Sequence, residues 1–261
     1  MFIFQVIISF IIGGLCIALQ TLLAERVPLK WRGIVLTIPT TGALGFFFVG
    51  LTKGAAQIPE VATTFPAALG AVYIFILAFA YFSRFGLLKA SIVSYLIWAL
   101  GAYFILSYPP ENFAVATFIY MLPITLVAYF LIKKLPQVTN LTPVPFNTKH
   151  LLIRSLIGGT VIATVVILSK TLGNIWGGLF SAFPAAFSAT FLIYYSVHGK
   201  AIIPSVGKSL FFPGAIVFVL YAWSAAFFFP LYGIWLGTLF SYIIVVVFYL
   251  IRMVILSKNK I

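Results

Sequence analysis

The chain has 261 residues, of which 63% are hydrophobic and 7% are charged, and its mean hydropathy is +1.19. Soluble domains carry roughly 25% charged residues, so this composition excludes a water-soluble globular protein and indicates a protein of the lipid bilayer. The net charge of +13 comes from basic residues scattered between apolar segments, which argues against a nucleic-acid-binding surface.

Nine apolar stretches are long enough to cross a bilayer as helices, since the hydrocarbon core needs about 20 residues. In chain order they lie near residues 2–24, 32–52, 63–83, 87–107, 113–132, 150–169, 175–197, 210–230 and 232–254. The first stretch has no basic leader and no small-residue cleavage pattern, so we expect a retained helix rather than a signal peptide. The sequence therefore predicts an all-α membrane protein with about nine transmembrane helices.

The basic residues fall mainly on one side of these nine spans. With the N-terminus outside, fourteen of the sixteen lie in inner loops, and only Lys53 and Lys170 lie outside. The positive-inside rule favours this orientation. We therefore expect a multi-pass protein of the cell inner membrane, with the lipid bilayer as its partner, the N-terminus outside and the C-terminus in the cytoplasm.

The sequence also repeats itself at a distance of 145 residues, where Trp31 and Pro39 recur as Trp176 and Pro184. The same offset relates Gly13-Gly14 to Gly158-Gly159 and Ile58-Pro59 to Ile203-Pro204. An offset of 147 relates Pro66 to Pro213, Gly86 to Gly233, and Ser94-Tyr95 to Ser241-Tyr242. Two inserted residues account for the change, and the pattern indicates an internal duplication.

The repeat predicts two four-helix units, residues 1–112 and 150–261. A transmembrane helix at 113–134 and a proline-containing cytoplasmic loop at 135–149 link them. Four spans return the chain to its starting side and the linking helix crosses once more, so the second unit must start on the opposite face. We therefore predict two inverted repeats in a 4+1+4 arrangement, which is typical of secondary transporters with a substrate site where the repeats meet.

Pro39 and Pro184 are predicted to interrupt the second helix of each unit. Proline removes one backbone N–H and frees the carbonyl four residues earlier, which belongs to Val35 in the first unit and to Phe180 in the second. In lipid such a carbonyl needs a partner or a water-lined cavity. A duplicated kink that serves architecture alone is the alternative, because proline is common in membrane helices.

Small hydroxyl residues accompany the two prolines. The predicted substrate-binding residues are Thr37, Pro39, Thr40, Ser94, Ser181, Pro184, Ser188 and Ser241. The structural alternative for each hydroxyl is a hydrogen bond to a carbonyl of its own helix. Gly33 and Gly178, six residues before the prolines, are predicted to allow close packing of another backbone.

Charged side chains are almost missing from the predicted spans. No Asp or Glu lies well inside one, which argues against a cation substrate and against coupling through an acidic relay. Arg154 and Lys170, at the two ends of the sixth span, are interpreted as snorkelling anchors, with help to an entering anion as the alternative. Gly173-x-x-x-Gly177 and Gly233-x-x-x-Gly237 fit either tight helix contacts or a homodimer face.

The chemistry of the chain predicts transport rather than catalysis. It has no Cys/His cluster, no Ser-His-acid set and no phosphate-binding glycine loop, so we expect no metal, no cofactor and no enzymatic activity. We predict a secondary carrier or uniporter that moves a small anion, a neutral solute or a lipid-linked headgroup by alternating access. The alternatives are a passive anion channel and a non-transporting integral subunit of a larger membrane complex.

The stretch from Gly33 to Thr40, with the apolar spans after it to Leu106, resembles the small GlpM-type membrane proteins. Those are single four-helix units with a Gly-Leu-x-Pro-Leu-Phe-Pro-Thr-like stretch in the second helix. The matching residues are Gly33, Pro39 and Thr40 in the first unit, and Gly178, Phe183 and Pro184 in the second. Ile38 replaces the Phe, and Ala185 replaces the Thr. The resemblance implies no activity, but it implies a small unit of dual orientation that was duplicated and fused through the linking helix.

Overall fold

The computed structural model describes residues 2–27, 34–138, 144, 147–211 and 214–258. Gly33, predicted as a close-packing residue, lies outside them, as do Trp31 and Pro213 of the repeated pairs. The described ranges contain helices and no strand. The helices are α1 (Phe2–Arg26), α2 (Thr40–Lys53), α3 (Ile58–Phe82), α4 (Leu87–Ser107), α5 (Phe113–Lys133), α6 (Thr148–Leu172), α7 (Asn174–Ser181), α8 (Ala185–His198), α9 (Ile203–Ser209) and α10 (Gly214–Lys258).

Within the described ranges, eight helical segments are long and apolar enough to cross a membrane. Seven of them correspond to the first seven predicted spans, and the eighth, Gly214–Ile255, contains the last two. α3 begins before the predicted residue 63, because Pro59 lies in its first turn, where proline starts a helix rather than ending one. These segments are those of a multi-pass, all-α membrane protein.

The last helix, α10, reverses direction at Gly233. The backbone there has φ 74° and ψ −175°, which is not helical and favours glycine. The ring centroids of Tyr221 and Tyr242 lie 5.1 Å apart, whereas a straight helix would separate these residues by about 30 Å. The predicted spans 210–230 and 232–254 are therefore two antiparallel arms of one hairpin.

α3 lies at the centre of the molecule. In its segment 78% of the apolar window is buried, against 28% for α1, α4 and α5, so those three helices expose most of their apolar surface. Small residues of α3 let its neighbours approach: a methyl group on Gly70 would lie 3.1 Å from the carbonyl oxygen of Tyr120 in α5. The main hydrophobic core is therefore built around α3.

α1 and α6 pack against each other through glycines at equivalent positions. A methyl group on Gly13 would lie 2.7 Å from Ile162, and one on Gly158 would lie 2.8 Å from Ile17. Each residue of the first contact has its equivalent, 145 residues away, in the second. From Gly13 to Ile17 the residue numbers rise along α1, while those of their partners in α6 fall from Ile162 to Gly158. The two helices therefore run antiparallel.

A second pair of contacts on this interface follows the same rule. A methyl group on Gly14 would lie 2.5 Å from the carbonyl oxygen of Ser155, and one on Gly159 would lie 2.5 Å from that of Phe10. Ser155 is the residue 145 positions after Phe10. The contacts between α1 and α6 are thus reciprocal along the interface.

A buried ion pair closes one end of this interface. The side chains of Arg154 in α6 and Glu25 in α1 are 2% and 6% exposed. The guanidinium donates one hydrogen bond from each terminal nitrogen to the carboxylate. The interpretation of Arg154 as a snorkelling anchor is therefore wrong, because its charge is neutralised by a residue 129 positions away rather than by the aqueous interface.

The two halves of the chain differ most clearly beside α3. α3 runs without interruption through Pro66, whereas the equivalent stretch of the second half is divided between α9, which ends at Ser209, and α10, which begins at Gly214. The change of offset from 145 to 147 falls between Pro204 and Pro213 in the sequence. The two additional residues therefore lie within α9 or in the stretch that follows it.

Candidate functional site

The chain interrupts its helix in the same way at Pro39 and at Pro184. The backbone angles are φ −76°, ψ 52° at the first proline and φ −75°, ψ 46° at the second. At each, the N–H of the following residue donates to the carbonyl of the preceding residue at 2.7 Å. This is an inverse γ-turn, and a new helix of 14 residues starts directly after it.

The two new helices, α2 and α8, begin with N–H groups that have no acceptor among the described residues. Residues in the first turn of a helix have no carbonyl before them within the helix. In the described ranges, the N–H groups of Thr41 and Gly42 in α2, and of Ala186 and Phe187 in α8, find no other acceptor either. All four residues line one cavity. Two helix N-termini, each with a partial positive charge, therefore contribute to the same wall.

This central cavity lies between the two interruptions and has a volume of about 30 Å³. Its wall combines residues of α1, α2, α3, α7, α8 and α10 with the stretch before Pro39. The polar side chains in the wall are those of Gln20, Thr41 and Ser181, and no wall residue carries a charge. The volume is enough for one or two water molecules or for a solute of a few atoms.

Gln20 of α1 provides hydrogen bonds at the first interruption. Its Nε2 donates to the carbonyl of Val35 at 2.9 Å and to that of Ile38 at 2.8 Å. Val35 carries the carbonyl that Pro39 was predicted to free. Oε1 of Gln20 is buried and accepts no hydrogen bond in the part of the chain that the structure describes. Because both amide hydrogens are used by carbonyls, the free end of the side chain is an acceptor only.

Ser181, a predicted binding residue, lies in the wall at the end of α7. Its side chain is fully buried, and Cβ of Ser181 would lie 2.8 Å from a methyl group on Gly45. Oγ has no hydrogen-bond partner among the described residues. A hydroxyl can donate or accept, so Ser181 brings an uncommitted polar group to the wall opposite α2.

The second interruption has aromatic neighbours where the first has an amide. The residue equivalent to Gln20 is Val165, which has no polar side-chain atom. The ring of Phe183 lies 4.8 Å from that of Trp98 and 5.9 Å from that of Phe180, between ring centroids. The carbonyl of Phe180 accepts a backbone hydrogen bond from the N–H of Phe183 at 3.0 Å.

The structure brings some of the predicted residues to the central cavity and not others. Pro184 and Ser181 line it, and Ile38 and Thr41 of the wall flank Pro39 and Thr40. A methyl group on Gly178 would overlap the carbonyl oxygen of Val61, so α7 and α3 approach closely at that point.

Four other predicted residues do not line the cavity, and their hydroxyls have hydrogen-bond partners. Thr37 is buried and shares a hydrogen bond of 2.8 Å with the hydroxyl of Tyr249. Ser94, Ser188 and Ser241 each donate to the carbonyl four residues earlier in their helix, at 2.6, 2.6 and 2.7 Å. The three serine contacts are the hydrogen bonds to their own helix backbone that Ser and Thr often make in membrane helices.

Sequence reasoning missed Gln20, although it is an amide within the apolar first span. Such a residue is costly in lipid unless its polar atoms have partners. The signal was therefore present in the sequence, but the partners belong to the stretch around Pro39 and are known only from the fold.

A second polar group, which we call the Asn174 cluster, joins α2, α3 and α7 at one end of the molecule. Its members are Lys53, Gln57, Glu60 and Asn174. Nδ2 of Asn174 donates to the side-chain oxygens of Gln57 and Glu60 at 2.8 and 2.7 Å. Lys53 donates to the carbonyl of Ser169 at 3.0 Å and to Oδ1 of Asn174. The cluster therefore ties the N-terminus of α7 to α2 and α3.

Comparison with known proteins identifies a domain and no activity. The model of a protein family of unknown function, DUF3147, matches residues 6–109, which include Gln20 and Pro39 but not Pro184. Nothing in this match links the chain to GlpM-type proteins. No curated protein and no solved structure matches the chain.

Proposed function

We propose that the protein is a membrane carrier that moves a small anion or a small neutral solute by alternating access, with the central cavity as its substrate site. The observation that carries this proposal is the meeting of two helix N-termini, with four N–H groups that lack acceptors in the described ranges, at one buried cavity. Interrupted helices whose N-termini face a central site are a recurring design of carriers. A volume of about 30 Å³ favours a compact solute over a lipid-linked headgroup.

Charge favours an anion among the compact solutes. Each helix N-terminus carries the equivalent of about half a positive charge, and no residue of the wall is acidic. Helix N-termini of this kind bind anions through backbone N–H groups without a charged side chain. A small neutral solute with hydrogen-bond acceptors uses the same groups and remains the second member of the proposed class.

The reciprocal contacts of α1 with α6 support the inverted repeats on which alternating access rests. Gly13 contacts Ile162 as Gly158 contacts Ile17, so an approximate two-fold axis relates the helices. An axis along the membrane normal would relate parallel helices, but α1 and α6 are antiparallel. The axis of two antiparallel spanning helices lies in the membrane plane, which is the symmetry of inverted-topology carriers.

Two groups of polar contacts act as the gates of the proposed alternating-access cycle. The Glu25–Arg154 ion pair joins α1 and α6 at the end where α1 finishes, and the Asn174 cluster joins α7 to α2 and α3 at the end where α2 finishes. In the predicted topology the first end is cytoplasmic and the second is external. Opening one gate while the other stays closed would expose the central cavity to one side at a time.

Uptake by the purified protein in liposomes tests the proposal. We expect saturable uptake of at least one compact anion or neutral solute, accelerated by the same solute on the far side of the membrane. Conductance far above carrier rates in planar bilayers would favour the channel instead. A lack of uptake for every compact solute would contradict transport and favour the non-transporting subunit.

A matched pair of variants tests whether the solute passes through the central cavity. Ala186→Val adds two carbon atoms at the cavity wall, where Ala186 is 7% exposed, and we expect it to reduce uptake at least about tenfold by filling the site. Ala114→Val makes the same change at an exposed position of α5 and should leave uptake unchanged. Equal effects of the two variants would remove the central cavity from the path.

A further inference from the structure

We infer that the substrate of the proposed carrier is a compact oxyanion that keeps one O–H group, of which hydrogencarbonate is the simplest example. The inference rests on the proposed function, and it is carried by the side-chain oxygen of Gln20, a hydrogen-bond acceptor of a cavity-wall residue whose orientation is fixed. A bound solute must match both the donors and this acceptor, because a buried polar group without a partner weakens binding.

Gln20 fixes the acceptor. The carbonyls of Val35 and Ile38 hold both hydrogens of its amide, at 2.9 and 2.8 Å. Turning the amide around would place its oxygen against two carbonyl oxygens, which excludes that orientation. The side chain is 8% exposed, and its oxygen has no donor among the residues that the structure describes. A solute in the cavity can pair with Oε1 only by donating a hydrogen bond to it.

The other polar groups of the wall are mainly donors, so they require hydrogen-bond acceptors from the solute. The unpaired N–H groups of Thr41, Gly42, Ala186 and Phe187 require acceptors, and the hydroxyl of Ser181, buried and unpartnered in the described part of the chain, can serve either role. Halide ions and nitrate accept hydrogen bonds but donate none. An oxyanion with one hydroxyl satisfies the N–H groups with its negative oxygens and Gln20 with its proton.

Size limits this class to its smallest members. The cavity of about 30 Å³ has room for a solute of a few heavy atoms. Phosphate esters, sugars and lipid headgroups exceed it. Hydrogencarbonate has three oxygens in a plane around one central atom, and nitrate has the same shape without the proton, so these two anions form a matched pair of probes.

Ligand-induced thermal stabilisation of the purified full-length protein compares the two anions. The stabilisation increases with the ratio of ligand concentration to dissociation constant. In mildly alkaline buffer, where hydrogencarbonate predominates, we expect it to bind at least about tenfold more tightly than nitrate. Equal binding, or tighter binding of nitrate, overturns the inference but leaves an anion carrier. If neither these anions nor any other compact solute binds or is taken up, the proposed function itself is overturned.

Two variants separate recognition from folding. Gln20→Met keeps the length of the side chain and removes the acceptor, so we expect the preference for hydrogencarbonate over nitrate to disappear. Ser181→Ala should weaken both anions by a similar factor and preserve the preference, since the hydroxyl can donate to either anion. If Gln20→Met does not fold, the wild-type preference and the Ser181→Ala result still decide the matter. A preference lost in Ser181→Ala, or kept in a folded Gln20→Met, contradicts the inference.

Discussion

The interruptions at Pro39 and Pro184 share one backbone geometry but have different surroundings. At Pro39 an amide from α1 donates to the carbonyls of Val35 and Ile38. At Pro184 no amide among the described residues plays this part, and aromatic rings of α4 and α7 pack against Phe183. The comparison teaches that local sequence sets the turn, while the polarity around it depends on neighbouring helices, which differ between the two prolines.

The same difference explains why the residues around one cavity include both hydrogen-bond donors and an acceptor. Equal surroundings at the two interruptions would place either two amides or two aromatic clusters around it. Instead, Gln20 brings an acceptor from one side, and the other side is lined by Phe183 and Phe187. Aromatic rings in the wall lower the local dielectric constant, which strengthens the hydrogen bonds made in the cavity.

The largest effect is expected from the ion pair between Glu25 and Arg154 at one end of the molecule. The residues equivalent to Glu25 and Arg154 are Lys170 and Ser9, which cannot repeat the pair. We expect Arg154→Met to lower the free energy of unfolding by about 3–5 kcal/mol, because it leaves the Glu25 carboxylate buried without its partner. The double variant Glu25→Met, Arg154→Met should lose less than the single one. Unfolding in detergent micelles measures both, and a double variant as unstable as the sum of the single ones would contradict this account.

The aromatic surroundings of the interruption at Pro184 depend on Trp98. It is 6% exposed and packs on Phe180 and Phe183, so we expect Trp98→Ala to lower the free energy of unfolding by about 3–5 kcal/mol. The equivalent residue in the second half is Val245, which is 2% exposed. Val245→Ala removes fewer buried carbons and should cost about 2 kcal/mol. Thermal unfolding that ranks the two variants in the opposite order would show that Trp98 does not stabilise the second interruption.

The polar side of the comparison depends on Gln20. Gln20→Met leaves the carbonyls of Val35 and Ile38 without their amide donor, and we expect a loss of about 1–3 kcal/mol in the free energy of unfolding. Gln5→Met makes the same change in the same helix, at an exposed hydrogen bond to the carbonyl of Leu51, and is the matched control. Chemical unfolding of both variants is the measurement. An equal loss in the control would mean that the buried hydrogen bonds of Gln20 add nothing to stability.

The smallest expected effect is the difference in free energy of unfolding between two glycine-to-alanine variants at the interface of α1 and α6. Gly13→Ala and Gly158→Ala each force a methyl group against an isoleucine, at 2.7 and 2.8 Å, and each should cost about 1–3 kcal/mol. Because the contacts are equivalent, we expect the two losses to agree within about 0.5 kcal/mol, the usual limit of additivity. A difference beyond this in thermal unfolding would show that α1 and α6 respond differently to the same change.

Much of the fold was readable from local sequence. The fifth span was predicted at 113–132 and is observed at Phe113–Lys133. The interruptions at the two prolines were also predictable, because the fixed φ angle and the missing N–H of proline act within one turn. The pairing of Ser94 with Ser241 was equally visible but less informative, since both hydroxyls donate within their own helices.

By itself, the sequence determined the membrane environment, the positions of the apolar helices and the places where two of them break, because these depend on composition and on the geometry of single residues. Only the tertiary structure decided which break receives the amide of Gln20, which carboxylate neutralises Arg154 and which helix N-termini meet at one cavity. The physical reason is distance along the chain: Glu25 and Arg154 lie 129 residues apart, and a contact of that kind exists only when α1 and α6 have packed.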